Sequence, residues 1–201
     1  MAIRAVVFDI GGVLEITPEM DFDQRWEARL GLPAGEIGRR LADIWLGGSV
    51  GTVTERVVRQ AVGDRLGLAP DQVDALLADM WEQYVGVGND ELIDYAGRLR
   101  PRYRTGILSN SFVGAREREQ DRYGFAELVD DIVYSHEVGL SKPDPRIYRL
   151  TADRLGVRLD EVVLVDDAEP NIIGARAAGM HAIWFRDNAQ VLAELTAILP
   201  A

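Results

Sequence analysis

Five short apolar runs, separated by helical patterns, are the feature that most constrains the fold of this chain. The first run, Ile3 to Phe8, is rich in β-branched residues and stops at Asp9. Similar runs lie at residues 105–108, 129–134, 162–165 and 182–185. An apolar run bounded by a turn signal suits a strand buried on both faces, as in a parallel sheet. Because helical patterns alternate with these runs, we predict an α/β fold with a Rossmann-like parallel sheet.

The segment between the first and second runs has a different pattern. From about residue 19 to residue 84 no strand pattern occurs, and apolar residues recur at helical spacing in four stretches. Four amphipathic helices inserted between two strands form a helical unit beside the sheet. We therefore predict a Rossmann-like core of residues 1–16 and 88–201 and a helical cap of residues 17–87.

Two groups of residues in the predicted cap allow either a structural or a functional interpretation. Glycines interrupt its middle at 47, 48 and 51, and they favour a flexible connector over a loop that faces a substrate. The large aromatic residues recur at helical spacing, which favours packing inside the cap over a substrate wall. These aromatic residues are Trp26, Trp45, Trp81 and Tyr84.

The charge and composition of the chain exclude several classes of function. The formal net charge of the 201 residues is −11, without a run of Lys or Arg, so binding to nucleic acids or anionic membranes is disfavoured. The sequence has no cysteine, which excludes disulfides, thiolate catalysis and cysteine-bound metals. The first apolar run is too short for a membrane helix and lacks the layout of a signal peptide. We therefore expect a cytoplasmic protein, monomeric or a small homo-oligomer, without nucleic-acid or membrane partners.

Polar side chains stand where three of the predicted strands end. Asp9 follows the first run, Ser109 and Asn110 follow the second, and Asp166 and Asp167 follow the fourth. The carboxyl ends of parallel strands meet at one edge of a sheet, where ligands bind in such folds. Converging carboxylates need neutralisation, and Mg²⁺ binds such groups together with phosphate oxygens. The pattern therefore predicts a magnesium site, to which Lys142 of the loop at 139–143 adds a positive charge.

Four motifs in order resemble those of the haloacid dehalogenase superfamily over nearly the whole chain. The segments Phe8–Leu14 and Ile107–Asn110 resemble the first and second motifs. Ser141–Tyr148 resembles the third, and Val165–Asp167 with the stretch from Asn171 to Met180 resembles the fourth. The predicted helical insert also falls where the family carries its helical cap. The resemblance implies a Rossmann-like hydrolase with a cap domain.

The resemblance also implies a role for each site residue. Asp9 would be the nucleophile that takes up the phosphoryl group as an aspartyl phosphate, and Lys142 would balance the charge. Ser109 and Asn110 would bind the phosphate of a small-molecule phosphate ester. Mg²⁺ would be bound by Asp9, the backbone carbonyl of Gly11, Asp166 and Asp167. These roles suit phosphoryl transfer, which requires mainly positioning and charge neutralisation.

Gly11 departs from the family pattern. Phosphatases of the family usually carry a second Asp two residues after the nucleophile, which protonates the leaving group and then activates water. Glycine offers a carbonyl but moves no proton, and this help is worth roughly 10²–10⁴-fold in rate. The sequence therefore predicts a slow phosphatase, a substitute base or a lost activity. Glu15 and His136 are the candidate substitutes, and we expect a surface residue and a hydrogen-bonded loop residue respectively.

Three functions stay open at this point. The first is a Mg²⁺-dependent phosphatase of a small phosphorylated metabolite. The second is a 2-haloacid dehalogenase, which attacks carbon with the same Asp without a metal and for which Arg25 or Arg29 would bind the anionic substrate. The paired acids at 166–167 argue against it, because they would repel a haloacid. The third is a weakly active or non-catalytic binding protein on the same scaffold, supported by Gly11 alone.

Overall fold

A five-stranded parallel sheet forms the centre of the protein. The structure is a computed structural model that describes residues 2–199. The strands of this sheet are β1 (Ala5–Phe8), β4 (Arg104–Ser109), β5 (Asp131–Tyr134), β6 (Val162–Asp166) and β7 (His181–Trp184). Their order is β5-β4-β1-β6-β7, so β1 lies in the middle. The predicted α/β fold with a Rossmann-like parallel sheet is confirmed.

Helices and one small two-stranded sheet complete the described chain. This sheet pairs β2 (Glu15–Ile16) with β3 (Val87–Gly88) in antiparallel fashion. The helices are α1 (Phe22–Leu30), α2 (Glu36–Ser49), α3 (Glu55–Leu66), α4 (Pro70–Val85), α5 (Asp90–Leu99), α6 (Ala115–Tyr123), α7 (Phe125–Leu128), α8 (Ser135–Val138), α9 (Pro145–Leu155), α10 (Glu169–Ala178) and α11 (Asn188–Ile198). A 3-10 turn at Leu159–Glu161 precedes β6. None of the described helices has both the length and the apolar character of a membrane span.

The central strand shows why the sheet is buried on both faces. Successive side chains of a strand point to opposite faces. Val6 and Phe8 belong to one apolar cluster together with side chains of α5 and α11. Ala5 and Val7 belong to a second cluster on the other face, with side chains of α9 and α10. Helices therefore cover both faces, which is the arrangement that continuous apolar strands require.

The helices α1 to α4 form a unit with an apolar cluster of its own. The predicted four helices between the first two strands of the sheet are thus confirmed. Side chains from all four helices meet in this cluster, and Val113 and Ala115 from the segment after β4 join it. The third helix begins after Thr54, whose hydroxyl accepts a hydrogen bond from the amide of Val57. Because Val113 and Ala115 pack into the four-helix cluster, it is anchored to the sheet-bearing part of the chain.

The glycine-rich stretch at 47–51 packs tightly against neighbouring segments. The expected interpretation of these glycines as a flexible connector is therefore wrong. Gly47 and Gly48 lie in the last turn of α2, where a Cβ on Gly48 would stand 2.1 Å from the Phe112 ring. Gly51 has φ +73°, and a Cβ there would lie 1.7 Å from the carbonyl oxygen of His136. The amide of Val113 donates to the carbonyl of Gly48 at 3.1 Å. Glycine therefore allows the Phe112 ring to approach residue 48 and the His136 backbone to approach residue 51.

Candidate active site

The carboxyl ends of β1, β4 and β6 bring the expected polar side chains together. Asp9 directly follows β1, Ser109 ends β4, and Asp166 ends β6 with Asp167 after it. The carboxylates of Asp9, Asp166 and Asp167 each place an oxygen within 4.8 Å of the other two. Residues separated by more than 150 positions in the sequence thus share one edge of the sheet, as parallel topology predicts.

Lys142 joins this cluster from the loop before α9, and it is the only lysine in the sequence. Its side chain is fully buried, and its Nζ lies 2.8 Å from Asp9 Oδ1 and 2.6 Å from Asp166 Oδ2. The same ammonium donates to the carbonyl oxygen of Leu108 at 2.9 Å. All three donor positions of the ammonium are therefore used, which fixes the charge between two carboxylates.

Asn110 holds the backbone of Lys142 in place. Its amide nitrogen donates to the Lys142 carbonyl at 2.9 Å, and its Oδ1 accepts from the Lys142 amide at 2.8 Å. Asp144 begins α9 just beyond the loop and accepts a hydrogen bond from the Arg146 amide. The Asn110 side chain therefore reaches the site through Lys142, a contact that the sequence did not reveal.

Asp166 is completely buried, and both of its oxygens have protein partners. The Ala168 amide and the Asn171 side chain donate to Oδ1 at 2.9 and 3.0 Å. Oδ2 accepts from Lys142, and Asn171 lies 3.2 Å from it as well. Asn171 appeared in the sequence only as part of a motif, and its function in the structure is to orient this carboxylate. By contrast, Asp167 is exposed.

The electrostatics of the site reflect an excess of negative charge. Burial raises the pKa of Asp9 to about 7, against the attraction of Lys142, and the charge of Asp166 raises it further. Burial and the charge of Asp166 also raise the pKa of Asp167. Burial alone would lower the pKa of Lys142, but its two carboxylate partners raise the pKa above its ordinary value, so Lys142 stays charged. One ammonium therefore faces three carboxylates.

The donor set fits a hard divalent cation. Three carboxylates against one ammonium leave an unbalanced negative charge, and oxygen ligands are those that Mg²⁺ prefers. Gly12 keeps the approach to Asp167 open, because a Cβ at this position would stand 2.2 Å from Asp167 Oδ2. Its φ of +74° is a conformation that glycine adopts without strain. The residues that would bind the cation are thus in place at the end of β1 and β6.

Two features beside the carboxylate cluster are a hydroxyl without a hydrogen-bond partner among the described residues, at Ser109, and open space at Gly11. Ser109 is buried, and its hydroxyl has no hydrogen-bond partner among the residues that the structure describes, so it can donate to a ligand. At Gly11 a Cβ would meet nothing within 4 Å, so there is room for a larger residue. The site thus offers an unpaired hydroxyl, and it has space at the position where the family usually carries its second Asp.

Comparison with known proteins identifies the family. Residues 3–179 match the haloacid dehalogenase-like hydrolases. The chain belongs to this hydrolase family. A relative in Mycobacterium tuberculosis, named Phosphatase MT3486, is 31% identical over 192 residues, which cover 90% of this chain and 87% of the relative.

Two solved structures share the fold of this hydrolase. A HAD family enzyme from Bacteroides thetaiotaomicron, in complex with magnesium and inorganic phosphate, has a TM-score of 0.80 and covers 95% of this chain and 99% of its own. Its identity is 20%, so this likeness shows the fold alone. A 2-haloacid dehalogenase from Pseudomonas syringae pv. Tomato DC3000 has a TM-score of 0.65 at 25% identity and covers 91% of this chain and 86% of its own.

The arginines considered for a dehalogenase lie outside the junction between the four helices and the sheet. Arg25 forms an ion pair with Asp21, and Arg29 forms one with Asp79. Neither lines the cavities of about 250 and 350 Å³ at this junction. The hydrolase therefore has no arginine from α1 positioned for a haloacid carboxylate.

The aromatic residues of the four-helix unit divide into two groups. Trp26 and Trp81 are buried in its core, as the sequence predicts. Trp45 and Tyr84 pack against the same core and also line the cavity of about 250 Å³ together with Phe112. Trp45 and Tyr84 therefore both pack against the core and line a cavity. Of the four aromatic residues, only these two are in a position to contact a ligand in that cavity.

The two candidate substitutes for the missing acid differ in their surroundings. His136 is hydrogen-bonded, as predicted, because its Nδ1 lies 2.7 Å from the Ser111 hydroxyl, but it lies in the short helix α8 and the predicted loop position is wrong. Glu15 is 1% exposed, so the predicted surface position is wrong. Its Oε1 is buried without a hydrogen-bond partner, and burial, aided by the charge of Glu119, raises the pKa of Glu15 to about 9. Glu15 lies in β2, which pairs with β3, and the sequence showed no sign of that pairing.

We expect Glu15→Gln to stabilise the hydrolase at alkaline pH. Between the ordinary pKa of 4.5 and about 9, the folded chain binds more protons at Glu15 than the unfolded chain does. This contribution to stability is therefore present below the ordinary pKa and is lost as pH rises towards 9. One pKa unit corresponds to about 1.4 kcal/mol, so the variant should be more stable than wild type by about 2 kcal/mol or more at pH 8.

Urea unfolding at pH 5 and pH 8 measures this difference. At pH 5 the variant and wild type should agree within about 1 kcal/mol, because this pH is only about half a unit above the ordinary pKa of 4.5 and most of the pH-dependent difference develops at higher pH. The exposed Glu19, changed to Gln, serves as the matched control and should follow the wild-type pH dependence. An equal pH dependence in Glu15→Gln and wild type would show that Glu15 carries no raised pKa.

Proposed function

We propose that this hydrolase is a Mg²⁺-dependent phosphatase of a small phosphorylated metabolite, with Asp9 as nucleophile. The observation that carries the proposal is the approach of the Asp9, Asp166 and Asp167 carboxylates to within 4.8 Å, with Lys142 between two of them. Phosphoryl transfer requires positive charge around the phosphate and a fixed nucleophile. The named phosphatase relative supports this choice.

The residues of the site would have separate roles in binding the metal, binding the phosphate and positioning Lys142. Magnesium, bound by Asp9, Asp167 and the Gly11 carbonyl with Asp166 beside them, would neutralise charge on the phosphate oxygens. The Ser109 hydroxyl binds a further phosphate oxygen, Lys142 balances the negative charge of Asp9 and the phosphate, and Asn110 acts by positioning Lys142. Asp166 orients Lys142, because both of its oxygens already accept hydrogen bonds from the protein.

Asp9 carries the covalent chemistry. Its Oδ1 is held by the Ile10 amide and by Lys142, both at 2.8 Å, which leaves Oδ2 to attack phosphorus. The ester oxygen leaves with the electrons of the broken P–O bond and takes its proton from solvent, because Gly11 donates none. Water then attacks phosphorus and gives up its proton to solvent, the bond to Asp9 breaks with its electrons returning to the carboxylate, and inorganic phosphate is released. Both steps lack a positioned acid or base at residue 11, so we propose a slow enzyme.

The four-helix unit completes this proposal. We propose that residues 17–87 act as a cap over a core of residues 1–16 and 88–201. The contacts of Gly48 with Val113 and of Gly51 with His136 hold the cap against the loops beside the site. A cap in this position excludes water from the substrate, which strengthens the electrostatic interactions in the site.

Hydrolysis of p-nitrophenyl phosphate as a function of Mg²⁺ concentration tests the proposal. Release should depend on Mg²⁺ and stop when the metal is chelated. Asp167→Asn should raise the Mg²⁺ concentration for half-maximal rate by about 10- to 100-fold, since it removes a charged ligand. Asp160→Asn is the matched control, because Asp160 pairs with Arg158 at the opposite end of β6. Metal-independent hydrolysis, or none at high enzyme concentration, would count against the proposal.

A 2-haloacid dehalogenase is the second candidate, favoured by the likeness to the Pseudomonas syringae enzyme. Two observations weigh against it. Asp166 and Asp167 stand beside Asp9 and would repel the carboxylate of a haloacid. Arg25 and Arg29 are engaged by carboxylates of the cap itself. If the protein releases halide from 2-chloropropionate without Mg²⁺, and does so faster than it releases phosphate from every ester tested, the dehalogenase becomes the better candidate.

A further inference from the structure

A cavity of about 350 Å³ lies between the four-helix unit and the chain neighbours of two residues of the proposed phosphate site. On the sheet side it is lined by Asn110 and Ser141, which are the chain neighbours of Ser109 and Lys142. On the cap side it is lined by Leu46, Val50 and Tyr84, among others. We call this cavity the junction pocket. Its place means that the alcohol part of a bound phosphate ester would extend into it.

No charged side chain lines the junction pocket among the residues that the structure describes. Leu46 is 64% exposed although it is a large apolar residue, and it stands at the pocket together with Val50 and Phe112. An exposed apolar residue beside a cleft is a common mark of a binding surface. A charged group placed here would lose hydration without finding an opposite charge in the wall.

The polar groups of the wall are largely occupied by partners within the protein. The Ser111 hydroxyl pairs with His136 Nδ1 at 2.7 Å, and the Ser49 hydroxyl donates to the Leu46 carbonyl at 2.9 Å. The Ser135 hydroxyl accepts from the Ser111 amide at 2.8 Å and donates to the carbonyl of Ser49 at 3.1 Å.

Tyr84, Ser141 and Asn110 provide the remaining polar groups of the wall. The Asn110 side chain is hydrogen-bonded to the backbone of Lys142. The Tyr84 oxygen accepts from the Phe112 amide at 3.2 Å. The Ser141 hydroxyl has no partner among the described residues. The pocket therefore offers a ligand mainly apolar surface, with at most a few hydrogen bonds near the phosphate end.

We propose that the junction pocket selects phosphate monoesters of uncharged alcohols with a mainly hydrocarbon body and rejects esters whose alcohol part carries an ammonium or a carboxylate. This rests on the proposed function, because the phosphate must be bound at Asp9 and Lys142. The pocket volume limits the alcohol part to a small molecule. The selection arises because a charged group of the ligand would find no opposite charge in the pocket wall, and this holds for an ammonium as well as for a carboxylate.

Three phosphonates that are not hydrolysed test the selection by binding alone. Propylphosphonate, 2-aminoethylphosphonate and 2-carboxyethylphosphonate have similar size and differ in a terminal methyl, ammonium or carboxylate. Calorimetry on the wild-type protein with Mg²⁺ should show that the propyl compound binds more tightly than both others by roughly 10- to 100-fold. Equal affinities would overturn the proposal. So would weak binding of the carboxylate alone, because the net negative charge of the chain would then be the cause.

Leu46→Lys places a charge in the wall without disturbing a buried residue. It should weaken propylphosphonate binding and strengthen 2-carboxyethylphosphonate binding, so that their ratio falls by about tenfold or more. Ile198→Lys is the matched control, because Ile198 is 40% exposed on α11 and lines no part of the pocket. If Leu46→Lys leaves the ratio of the two phosphonate affinities unchanged, the junction pocket does not contact the alcohol part of the ligand.

Turnover separates this proposal from the proposed function. The corresponding esters, propyl phosphate, 2-aminoethyl phosphate and 3-phosphooxypropanoate, are assayed for phosphate release with Mg²⁺. If the phosphonates show the expected order and no ester is hydrolysed, the pocket selects as proposed and the phosphatase function fails. If all three esters are hydrolysed with similar kcat/KM, the phosphatase function stands and the substrate class proposed here is wrong.

Discussion

Gly11→Asp is expected to raise the rate of phosphate release from an alkyl ester such as propyl phosphate by about 10²–10⁴-fold. The substitution restores a carboxyl two residues after the nucleophile, where family phosphatases carry their general acid and base. The structure accommodates it, because a Cβ at Gly11 would meet nothing within 4 Å and the residue is not in the left-handed region. The measurement is kcat at saturating Mg²⁺ over the range pH 5 to 9.

The gain should depend on the leaving group. An alkoxide is a poor leaving group and needs a proton in the transition state, whereas p-nitrophenolate leaves without one. The effect on p-nitrophenyl phosphate should therefore be the smaller one and should come from faster hydrolysis of the aspartyl phosphate. The propyl ester should show a bell-shaped pH profile, because one carboxyl must first donate and later accept a proton.

Gly11→Asn is the control for shape. Asparagine has nearly the same size as aspartate and hydrogen-bonds substrate, but it transfers no proton. It should leave the rate for propyl phosphate within a few-fold of wild type, roughly the effect of one added hydrogen bond. If Gly11→Asn gives the same gain as Gly11→Asp, the benefit comes from packing or binding, and the explanation of slow catalysis by a missing acid is wrong.

The parallel sheet and the convergence of its polar ends were predictable because each depends on local sequence. Apolar runs that stop at Asp9, Ser109 and Asp166 need no long-range information to be recognised. Parallel pairing of β1 with β4 and of β1 with β6 then brings these ends to one edge. The same topology explains why the fold predicts the location of the site more directly than its detailed contacts.

Other features of the site depend on contacts between distant segments and left no local pattern. Glu15 is buried and lies in the short strand β2, which pairs with β3 about 70 residues further along the chain. The Asn110 side chain forms two hydrogen bonds with the backbone of Lys142, which is 32 positions away in the sequence. The residue type alone gave no indication of that contact. The glycines at 48 and 51 were interpreted as flexible because the residues that pack against them, Phe112 and His136, lie more than 60 positions away, in the loop after β4 and in α8.

Asp9→Asn should lower phosphate release from every ester by at least about 10⁴-fold, because the nucleophile of the proposed reaction is removed. The fold should survive the change. Asparagine has nearly the same volume, and Lys142 keeps its contacts with Asp166 Oδ2 and the Leu108 carbonyl at 2.6 and 2.9 Å. A thermal midpoint close to that of wild type and retained binding of propylphosphonate would show that the site is still formed.

The covalent step distinguishes a nucleophile from a mere metal ligand at position 9. Acid quenching during turnover of an ester with radiolabelled phosphate should leave label on the wild-type chain and none on Asp9→Asn. Asp167→Asn provides the contrast, because it weakens metal binding but leaves the nucleophile in place, so label should still accumulate at high Mg²⁺. Label on the Asp9→Asn chain would assign the attack to another residue. Absence of label on all three chains, with phosphate still released, would mean that water attacks the ester directly and that Asp9 acts only through the cation.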